Sequence, residues 1–400
     1  MRPRFEDNPE LGGRDPLDPR FDQTAAALPS AVTASDTWAR RLARRLYTRA
    51  AFGLAPVLAP GMLFVPLGYL LGPAGLSLLP ARALAHLDPV ISVGLATLGV
   101  FVGLALGRRP RWDTRLFLAA SFEAIVTVVI VGSAILYLLY TWRLPLQTST
   151  IAIALALAVS ASASAASASS SAIAARIADL DDVLPIAVGA LAVALLGNGN
   201  TNGGADALAL VGATMLVGLT VGVAGWLLIE RAHGVAERGL FVLGLLALVG
   251  GASAYLSLSP LLAGLTAGMF WNWAPGHSDV IVRDDLHKYQ HQHGERMLIV
   301  AGASLDFSIA ALWLFAPFVV FRMAGKLAGG WLASRLTPGL ASADLGSHLL
   351  APGLLGIAFA LNVHQHLATA DAAAVLTAVV IGTLASEGVA WLVAPAEVDA

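Results

Sequence analysis

The chain has 400 residues, of which 57% are hydrophobic and only 12% are charged. Soluble domains usually carry about 25% charged residues, so a soluble fold of this composition would leave too much apolar surface in water. The net charge of −2 gives no indication of nucleic-acid binding, and the absence of cysteine excludes disulfides, thiolate metal sites and cysteine nucleophiles. Lipid is therefore the expected solvent for most of the chain.

Residues 1–50 form a polar segment that is rich in proline, aspartate and arginine. The segment lacks the short apolar stretch and cleavage site of a signal peptide. Its arginines cluster just before the first apolar run, which predicts that the N-terminus stays in the cytoplasm. We expect a cytoplasmic tail at 1–50 and a transmembrane domain at 51–396. The arginine cluster consists of Arg40, Arg41, Arg44, Arg45 and Arg49.

Apolar runs after residue 50 predict an all-α membrane protein with about twelve transmembrane helices, each needing roughly 20 residues to cross the hydrocarbon. Arginine and lysine concentrate in alternate loops, which predicts that both termini are cytoplasmic and that the protein lies in the cell (inner) membrane. The predicted spans are 51–72, 86–107, 115–140, 148–168, 172–197, 206–229, 239–257, 259–274, 286–305, 309–334, 346–366 and 371–395.

Residues 158–172 consist of alanine and serine apart from Val159, and this run allows two interpretations. Small residues permit close helix packing in membranes. Alternatively, the helix unwinds in mid-membrane, where serine hydroxyls and free carbonyls line a polar cavity. The span at 346–366 contains Pro352, Gly353 and Gly356, so it is a second candidate for an interrupted helix.

Two adjacent aspartates, Asp181 and Asp182, fall near the middle of the predicted span 172–197. A charged side chain at the bilayer centre costs about 2.5–3.5 kcal/mol, so such residues indicate function. Adjacent carboxylates in a low dielectric do not both ionise readily, which suits proton exchange. Pro185 has no N–H, so the Asp181 carbonyl loses its helical partner and becomes available to a cation. The alternative is a helix end closer to the surface, with solvated aspartates.

Lys326 is one of only two lysines among 24 basic residues, and it falls within a predicted span. A buried lysine can lose its proton, whereas arginine in effect cannot. Arg322 lies four residues earlier on much the same helix face, and the repulsion between the two cations requires nearby carboxylates. Asp181 and Asp182 are the obvious candidates. The alternative is a lysine that reaches the cytoplasmic surface.

Two glutamates and three histidines also lie in or beside predicted spans. Glu123 is close to the inner end of its span and can simply reach interfacial water, and Glu387 is interpreted as a packing or snorkelling residue. His287, His291 and His293 form a cluster that no carboxylate completes as a metal site, so a pH-sensing role or a plain polar helix end is favoured. We predict no metal and no cofactor.

Four stretches of the chain form a recognisable series. They are Gly-Tyr-Leu-Leu-Gly-Pro-Ala-Gly-Leu at 68–76, Asp-Asp-Val-Leu at 181–184, Ser-Pro-Leu-Leu-Ala-Gly-Leu-Thr-Ala-Gly at 259–268, and Ala-Gly-Ala-Ser-Leu-Asp at 301–306 followed by Arg322 and by Gly-Lys at 325–326. In this order they resemble the monovalent cation:proton antiporter superfamily, which includes sodium/proton exchangers of the paired-aspartate type.

The resemblance implies a sodium/proton antiporter fold with inverted repeats, two broken crossing helices, and a core domain that moves against the dimerisation domain of a homodimer. It implies that Asp182 binds the cation or protons and that Asp181 pairs with Lys326. The fourth span departs from the family pattern, since it has only the Ala/Ser run where the family often has threonine with aspartate. Ser160 and Ser162 match the expected break by depth, and Thr150 matches it by distance to the aspartates.

The sequence therefore favours a secondary transporter, not an enzyme, that exchanges sodium or potassium for protons across the bilayer. Arg322 and Glu123 are expected to support the site, and arrival of a cation at the aspartates is expected to help Lys326 release its proton. Two alternatives stay open. One is a sodium-coupled organic anion symporter of the same fold, and the other is a membrane sensor or scaffold that transports nothing.

Overall fold

The computed structural model describes residues 58–106, 114–142, 149–165, 172–197, 204–275, 278–338, 344–367 and 369–393. Within these ranges the chain is helical apart from short connections, and it contains no strand. The predicted cytoplasmic tail at 1–50 lies outside them.

The helices follow one another with short connections, as expected for a chain that repeatedly crosses a bilayer. The first seven are α1 (Leu58–Leu71), α2 (Ala81–Ala105), α3 (Thr114–Trp142), α4 (Thr150–Ser162), α5 (Ala172–Asp181), α6 (Val183–Gly197) and α7 (Gly204–Arg231). The others are α8 (Val235–Tyr255), α9 (Pro260–Trp273), α10 (Ser278–Ala303), α11 (Ile309–Leu336), α12 (Leu345–His348), α13 (Leu354–Leu367) and α14 (Ala370–Val393).

Six of these helices, α2, α3, α7, α8, α11 and α14, are long and apolar enough to cross a membrane by length and composition. The protein is therefore an all-helical, multi-pass membrane protein. The remaining predicted spans, apart from 286–305, are shorter or interrupted in the described residues. The span predicted at 172–197 divides at Asp182 into α5 and α6, and the span predicted at 346–366 divides into α12 and α13. The span predicted at 286–305 begins earlier, because the polar residues from Ser278 onward are already helical.

The helices pack as two bundles. The first bundle contains α1, α2 and α7 to α10, and the second contains α3 to α6 and α11 to α14. In the first bundle α2 and α9 approach so closely that a side chain on Gly99 or Gly264 would overlap the backbone of the other helix. Glycine permits this approach, which gives the pair extensive van der Waals contact in a solvent with no hydrophobic effect between helices.

Two non-helical segments meet inside the second bundle. Helix α4 ends at Ser162 and the chain continues through the non-helical residues 163–165, while residues 349–353 separate α12 from α13. The Ala165 N–H donates to the Ala351 carbonyl at 2.8 Å. A Cβ on Gly353 would lie 3.0 Å from the Ser164 carbonyl oxygen, so glycine allows the two segments to touch. Residues 163–165 of the Ala/Ser run are therefore not helical, which favours the unwound interpretation over a helix that packs through the whole run, and residues 166–171 lie outside the described residues.

Polar contacts join the two bundles near both ends of α2. At the end of α2, Arg176 on α5 donates to the carbonyls of Ala105 and, at 2.7 Å, Leu106. Near the start of α2, Gln365 on α13 donates to the carbonyl and side chain of Asp88 at 3.2 and 3.3 Å. A cavity of about 240 Å³ lies beside Asp88 at the junction of the bundles, where Ala194 is among the residues that line it.

Candidate functional site

The candidate site is built at the break between α5 and α6. Asp181 is the last residue of α5, Asp182 is not helical, and Val183 begins α6. Pro185 explains this break, since it cannot donate to the Asp181 carbonyl, and the next N–H, that of Ile186, bonds to the Asp182 carbonyl at 3.2 Å. Asp181 is 0% and Asp182 3% exposed, so the alternative of solvated aspartates at a helix end is wrong.

Lys326 on α11 points at this break. Its Nζ lies 3.0 Å from Asp181 Oδ2 and 3.1 Å from Glu123 Oε2, and it also donates to the Ser162 carbonyl at the end of α4. The lysine and both carboxylates are fully buried. The alternative of a snorkelling lysine is therefore wrong. Through its ammonium group, α11 is bonded to α3, to the end of α5 and to the end of α4.

Glu123 does not reach interfacial water, which corrects the sequence-based interpretation. Its side chain is 0% exposed, and Oε1 accepts a hydrogen bond from Thr127 at 2.9 Å. Glu123 is buried because α3 packs closely against α11. Glycines on α11 permit this approach, since any larger side chain there would hold α3 away. A Cβ on Gly329 would lie 2.8 Å from the Glu123 carbonyl oxygen, and a Cβ on Gly325 would lie 3.1 Å from Thr127.

Arg322 lies one turn before Lys326 and is also fully buried. Its Nη2 donates to the Ala163 carbonyl at 2.8 Å, so the guanidinium holds one of the carbonyls that the unwinding of α4 frees. Glu123, Asp181 and Glu387 are the carboxylates that act on it electrostatically. Glu387 is only 6% exposed, so the snorkelling interpretation of this residue is wrong.

The three hydroxyl residues predicted in the fourth span lie at different distances from the site. Ser160 is buried near the end of α4. The Ser162 hydroxyl donates to the Val159 carbonyl at 2.7 Å, so only its own carbonyl faces the site. Thr150 begins α4 and lies about 18 Å along the helix axis from Ser162. Thr150 is therefore not part of this cluster, because the break occurs at the end of α4 and not at its start.

Ser164 and Thr127 contribute to the site and were not predicted from the sequence. The Ser164 hydroxyl donates to Asp181 Oδ2, and Thr127 donates to Glu123 as described above. The spacing of four between Glu123 and Thr127 on one helix face was a signal for the second contact. No spacing rule identifies Ser164, because its position depends on the residue at which α4 unwinds.

Several buried oxygens have no hydrogen-bond partner among the described residues. They are Asp181 Oδ1 and Asp182 Oδ1 at the break, and Ser160 Oγ near the end of α4. A buried acceptor without a partner costs about 1–3 kcal/mol, and more when it is charged. Carboxylate, hydroxyl and carbonyl oxygens are the ligands of hard cations, and a carboxylate also takes up a proton. The arrangement is thus suited to bind either a monovalent cation or protons.

Of the three predicted histidines, His293 lies apart from this site. His293 Nε2 lies 3.2 Å from the Gly94 carbonyl oxygen, in the first bundle. The side chains of His287 and His291 are outside the described residues. Among the described residues, no group of three or more histidine, aspartate or glutamate side chains comes together.

The protein has the fold of a solved sodium proton antiporter. It is similar in structure to the sodium proton antiporter MjNhaP1 from Methanocaldococcus jannaschii, with a TM-score of 0.58 and 16% sequence identity. The alignment covers 83% of this chain and 89% of that chain. No family model and no curated protein matches the sequence.

Proposed function

We propose that this protein is a secondary active transporter that exchanges a monovalent cation, sodium or potassium, for protons across the cell membrane. The observation that carries the proposal is the pair Asp181 and Asp182, which is buried at a helix break with one unpartnered oxygen on each carboxylate. Ionisable groups at membrane depth are retained for ion pathways and proton relays. In this proposal the protein is a transporter and not an enzyme.

The proposed cation ligands are unpartnered oxygens of the α5–α6 break and of the end of α4. Asp182 binds the ion most directly, and Asp181 Oδ1, the Asp181 carbonyl freed by Pro185, and Ser160 Oγ supply further oxygens. Protons compete for the same carboxylates, because a carboxylate must lose its proton before it coordinates the ion. Competition at one site couples the two fluxes without a second binding site.

The packing into two bundles supports alternating access. The ion-binding residues all belong to the second bundle, and the contacts between the bundles are fewer than those within them. We propose that the second bundle moves against the first and exposes the aspartates to each side in turn. Inverted repeats, about twelve spans, a homodimer and cytoplasmic termini belong to the same proposal, and each follows from the resemblance or from the loop charges.

The decisive experiment is flux in proteoliposomes that contain a pH dye, with sodium, potassium, lithium or choline added outside. The proposal expects proton movement on addition of sodium or potassium and none with choline. Empty liposomes and Asp182→Asn are the controls. Uptake of sodium only together with an organic anion would favour the symporter, and no ion flux in any condition would favour the sensor or scaffold.

A further inference from the structure

The cavity beside Asp88 lies at the junction of the two bundles and measures about 240 Å³. A water molecule takes about 30 Å³ in the liquid, so this space holds on the order of eight waters, or a small ion with part of its hydration shell. Asp88 on α2 supplies the one carboxylate among the described residues that line the cavity, and its side chain is exposed to water. The cavity thus places a negative charge beside a water-sized space between the bundles.

The hydroxyl groups on the cavity walls present oxygens and not hydrogens. Ser92 donates its single hydroxyl hydrogen to the Asp88 carbonyl at 2.9 Å, and Thr214 donates its own to the Leu210 carbonyl at 2.7 Å. Ser92 and Thr214 both line the cavity and are buried. A hydroxyl whose hydrogen is used in this way keeps only lone pairs for a further ligand. These two groups therefore suit a cation and have no hydrogen to donate to an anion.

The end of α13 adds further acceptors to the same cavity, through Gln365 and His366. His366 Nδ1 lies 2.8 Å from the Asn362 carbonyl oxygen, which can only accept, so Nδ1 carries the hydrogen and Nε2 of the neutral ring is an acceptor. Gln365 directs its amide nitrogen at the carbonyl and carboxylate of Asp88, which leaves its amide oxygen for another partner. The walls are therefore rich in acceptors, which favours a cation as the ligand.

Asn362 lies at the buried end of this arrangement. Its side chain is 0% exposed, and its amide nitrogen lies 3.4 Å from Ser259 Oγ, which lines the cavity. Asn362 Oδ1 has no hydrogen-bond partner among the described residues. A buried amide oxygen without a partner is unfavourable, and an amide oxygen is a ligand that a hard cation accepts in place of water. A cation that enters the cavity would supply the missing partner.

The cavity is distinct from the aspartate pair. Ala190 is the first residue of α6 that lines it, eight residues after Asp182, which corresponds to about 12 Å along the helix axis. One residue before Ala190, Gly189 packs against the ring of Phe359 on α13, and a Cβ there would overlap that ring. An ion in the cavity is therefore more than one helical turn away from the aspartates.

We propose that the cavity beside Asp88 is a second cation site, which binds a partly hydrated sodium or potassium ion on its way to the aspartate pair. The identity of the ion rests on the proposed function, and the aspartates remain the place where cation and protons compete. Both bundles build the second site, since Asp88 and Ser259 belong to the first bundle and Asn362 and Gln365 to the second. The site is therefore complete only in conformations that keep α2 and the end of α13 together.

The test measures whether a cation protects a single thiol in the cavity. The chain has no cysteine, so Ala194→Cys places one thiol in the cavity wall, where a neutral maleimide labels it in the purified protein. We expect sodium or potassium to slow labelling relative to choline at equal ionic strength, because the bound ion occupies space that the reagent must enter. The slowing should persist when Asp182→Asn is added, since this change removes charge from the aspartate pair and not from the cavity.

Asp88→Asn in the Ala194→Cys chain removes the negative charge and keeps the oxygen that Gln365 contacts. We expect the sodium concentration for half-maximal slowing to rise about fivefold, which is the effect of one carboxylate at about 4 Å in water. Asp306→Asn is the matched control and is expected to keep the sodium dependence of the parent. Asp306 is exposed and does not line the cavity, and it follows Ala303, whose backbone packs against Gly72 between α1 and α2.

Three results overturn the proposal. They are the absence of slowing by sodium and potassium in the Ala194→Cys chain, slowing that disappears when Asp182→Asn is added, and an unchanged sodium dependence in Asp88→Asn. If Asp182→Asn does not fold, the comparison of Asp88→Asn with Asp306→Asn decides alone. Failure of the proposed function is a different result, in which the parent shows no cation-driven proton flux in proteoliposomes although sodium still protects the thiol.

Discussion

Ser164 donates a hydrogen bond to the same oxygen of Asp181 that contacts the Lys326 ammonium. The serine lies two residues after the end of α4, in a segment that leaves the helix, and the aspartate ends α5. This contact attaches the unwound backbone to the break that carries the aspartates. Because Oδ2 is held from two sides, Oδ1 is the oxygen of Asp181 that remains for the proposed ion.

Ser164→Ala should weaken cation binding without abolishing exchange. The variant removes one hydrogen bond to a charged acceptor, which is worth about 1.5–3 kcal/mol, and leaves Lys326 as the partner of Oδ2. The apparent cation affinity should fall roughly tenfold or more, because 1.4 kcal/mol corresponds to a factor of ten. Flux at increasing sodium concentrations measures this affinity. An affinity equal to that of Ser133→Ala, an exposed polar-to-apolar change on α3, would show that the contact does not position Asp181.

Asp182→Asn should abolish cation-driven proton movement and leave the protein folded. Asparagine keeps the size of the side chain but neither binds a proton near neutral pH nor supplies a negative charge to the ion. Flux in proteoliposomes and a thermal melt measure the two outcomes. Exchange at more than a few per cent of the parent rate would mean that Asp182 is not the main ion ligand.

Apparent cation affinity should improve as the pH rises. Each carboxylate must lose its proton to bind the ion, so at low pH the proton occupies the site and at high pH the cation does. For one competing proton the affinity changes by at most about tenfold per pH unit and becomes constant once the carboxylate is deprotonated. Flux measured from pH 6 to pH 9 tests this. A constant affinity over the whole range would indicate separate sites.

Lys326→Ala should strongly destabilise the protein, because it leaves Asp181 and Glu123 buried without their shared cation. Breaking a buried pair costs roughly 3–5 kcal/mol. The double variant with Asp181→Asn should recover part of that loss, since one stranded charge is then removed. Thermal melts of the two single variants and the double provide the cycle. Strictly additive losses would show that the two residues are not energetically coupled.

In Arg176→Gln, we expect the conformation that contains the cavity beside Asp88 to be less populated than in the parent chain. The substitution weakens the contact between α5 and the end of α2, at the opposite end of α2 from that cavity. The chain has no cysteine, so Ala194→Cys in the cavity lining places a single thiol there. Its rate of labelling by a membrane-impermeant maleimide should fall in Arg176→Gln. The surface variant Arg231→Gln is the control, and equal rates would contradict the prediction.

Much of the fold and the central residues of the site could be predicted from the sequence, because a charge at membrane depth is conspicuous. Asp181, Asp182, Lys326 and Arg322 were found by that criterion. The sequence predicts that Glu123 reaches interfacial water, which is wrong. Its partner lies on α11, and no local pattern reveals which helix a side chain faces. Thr150 was wrongly favoured by distance along the chain, because the residue at which α4 unwinds is set by its contact with the segment between α12 and α13.

That contact has a consequence for how the protein is made. The Ala165 N–H finds its acceptor, Ala351, on a segment that is synthesised much later. A backbone group without a partner in hydrocarbon is costly. The non-helical conformation of residues 163–165 is therefore not stable in lipid until α12 and α13 have been inserted. The nascent chain must therefore keep this stretch helical, hydrated or shielded by insertion machinery until its partner emerges. Assembly of the proposed ion site is then one of the last events in biogenesis, and a ribosome that stalls before residue 351 leaves a protein that is inserted but lacks the contact on which that site is built.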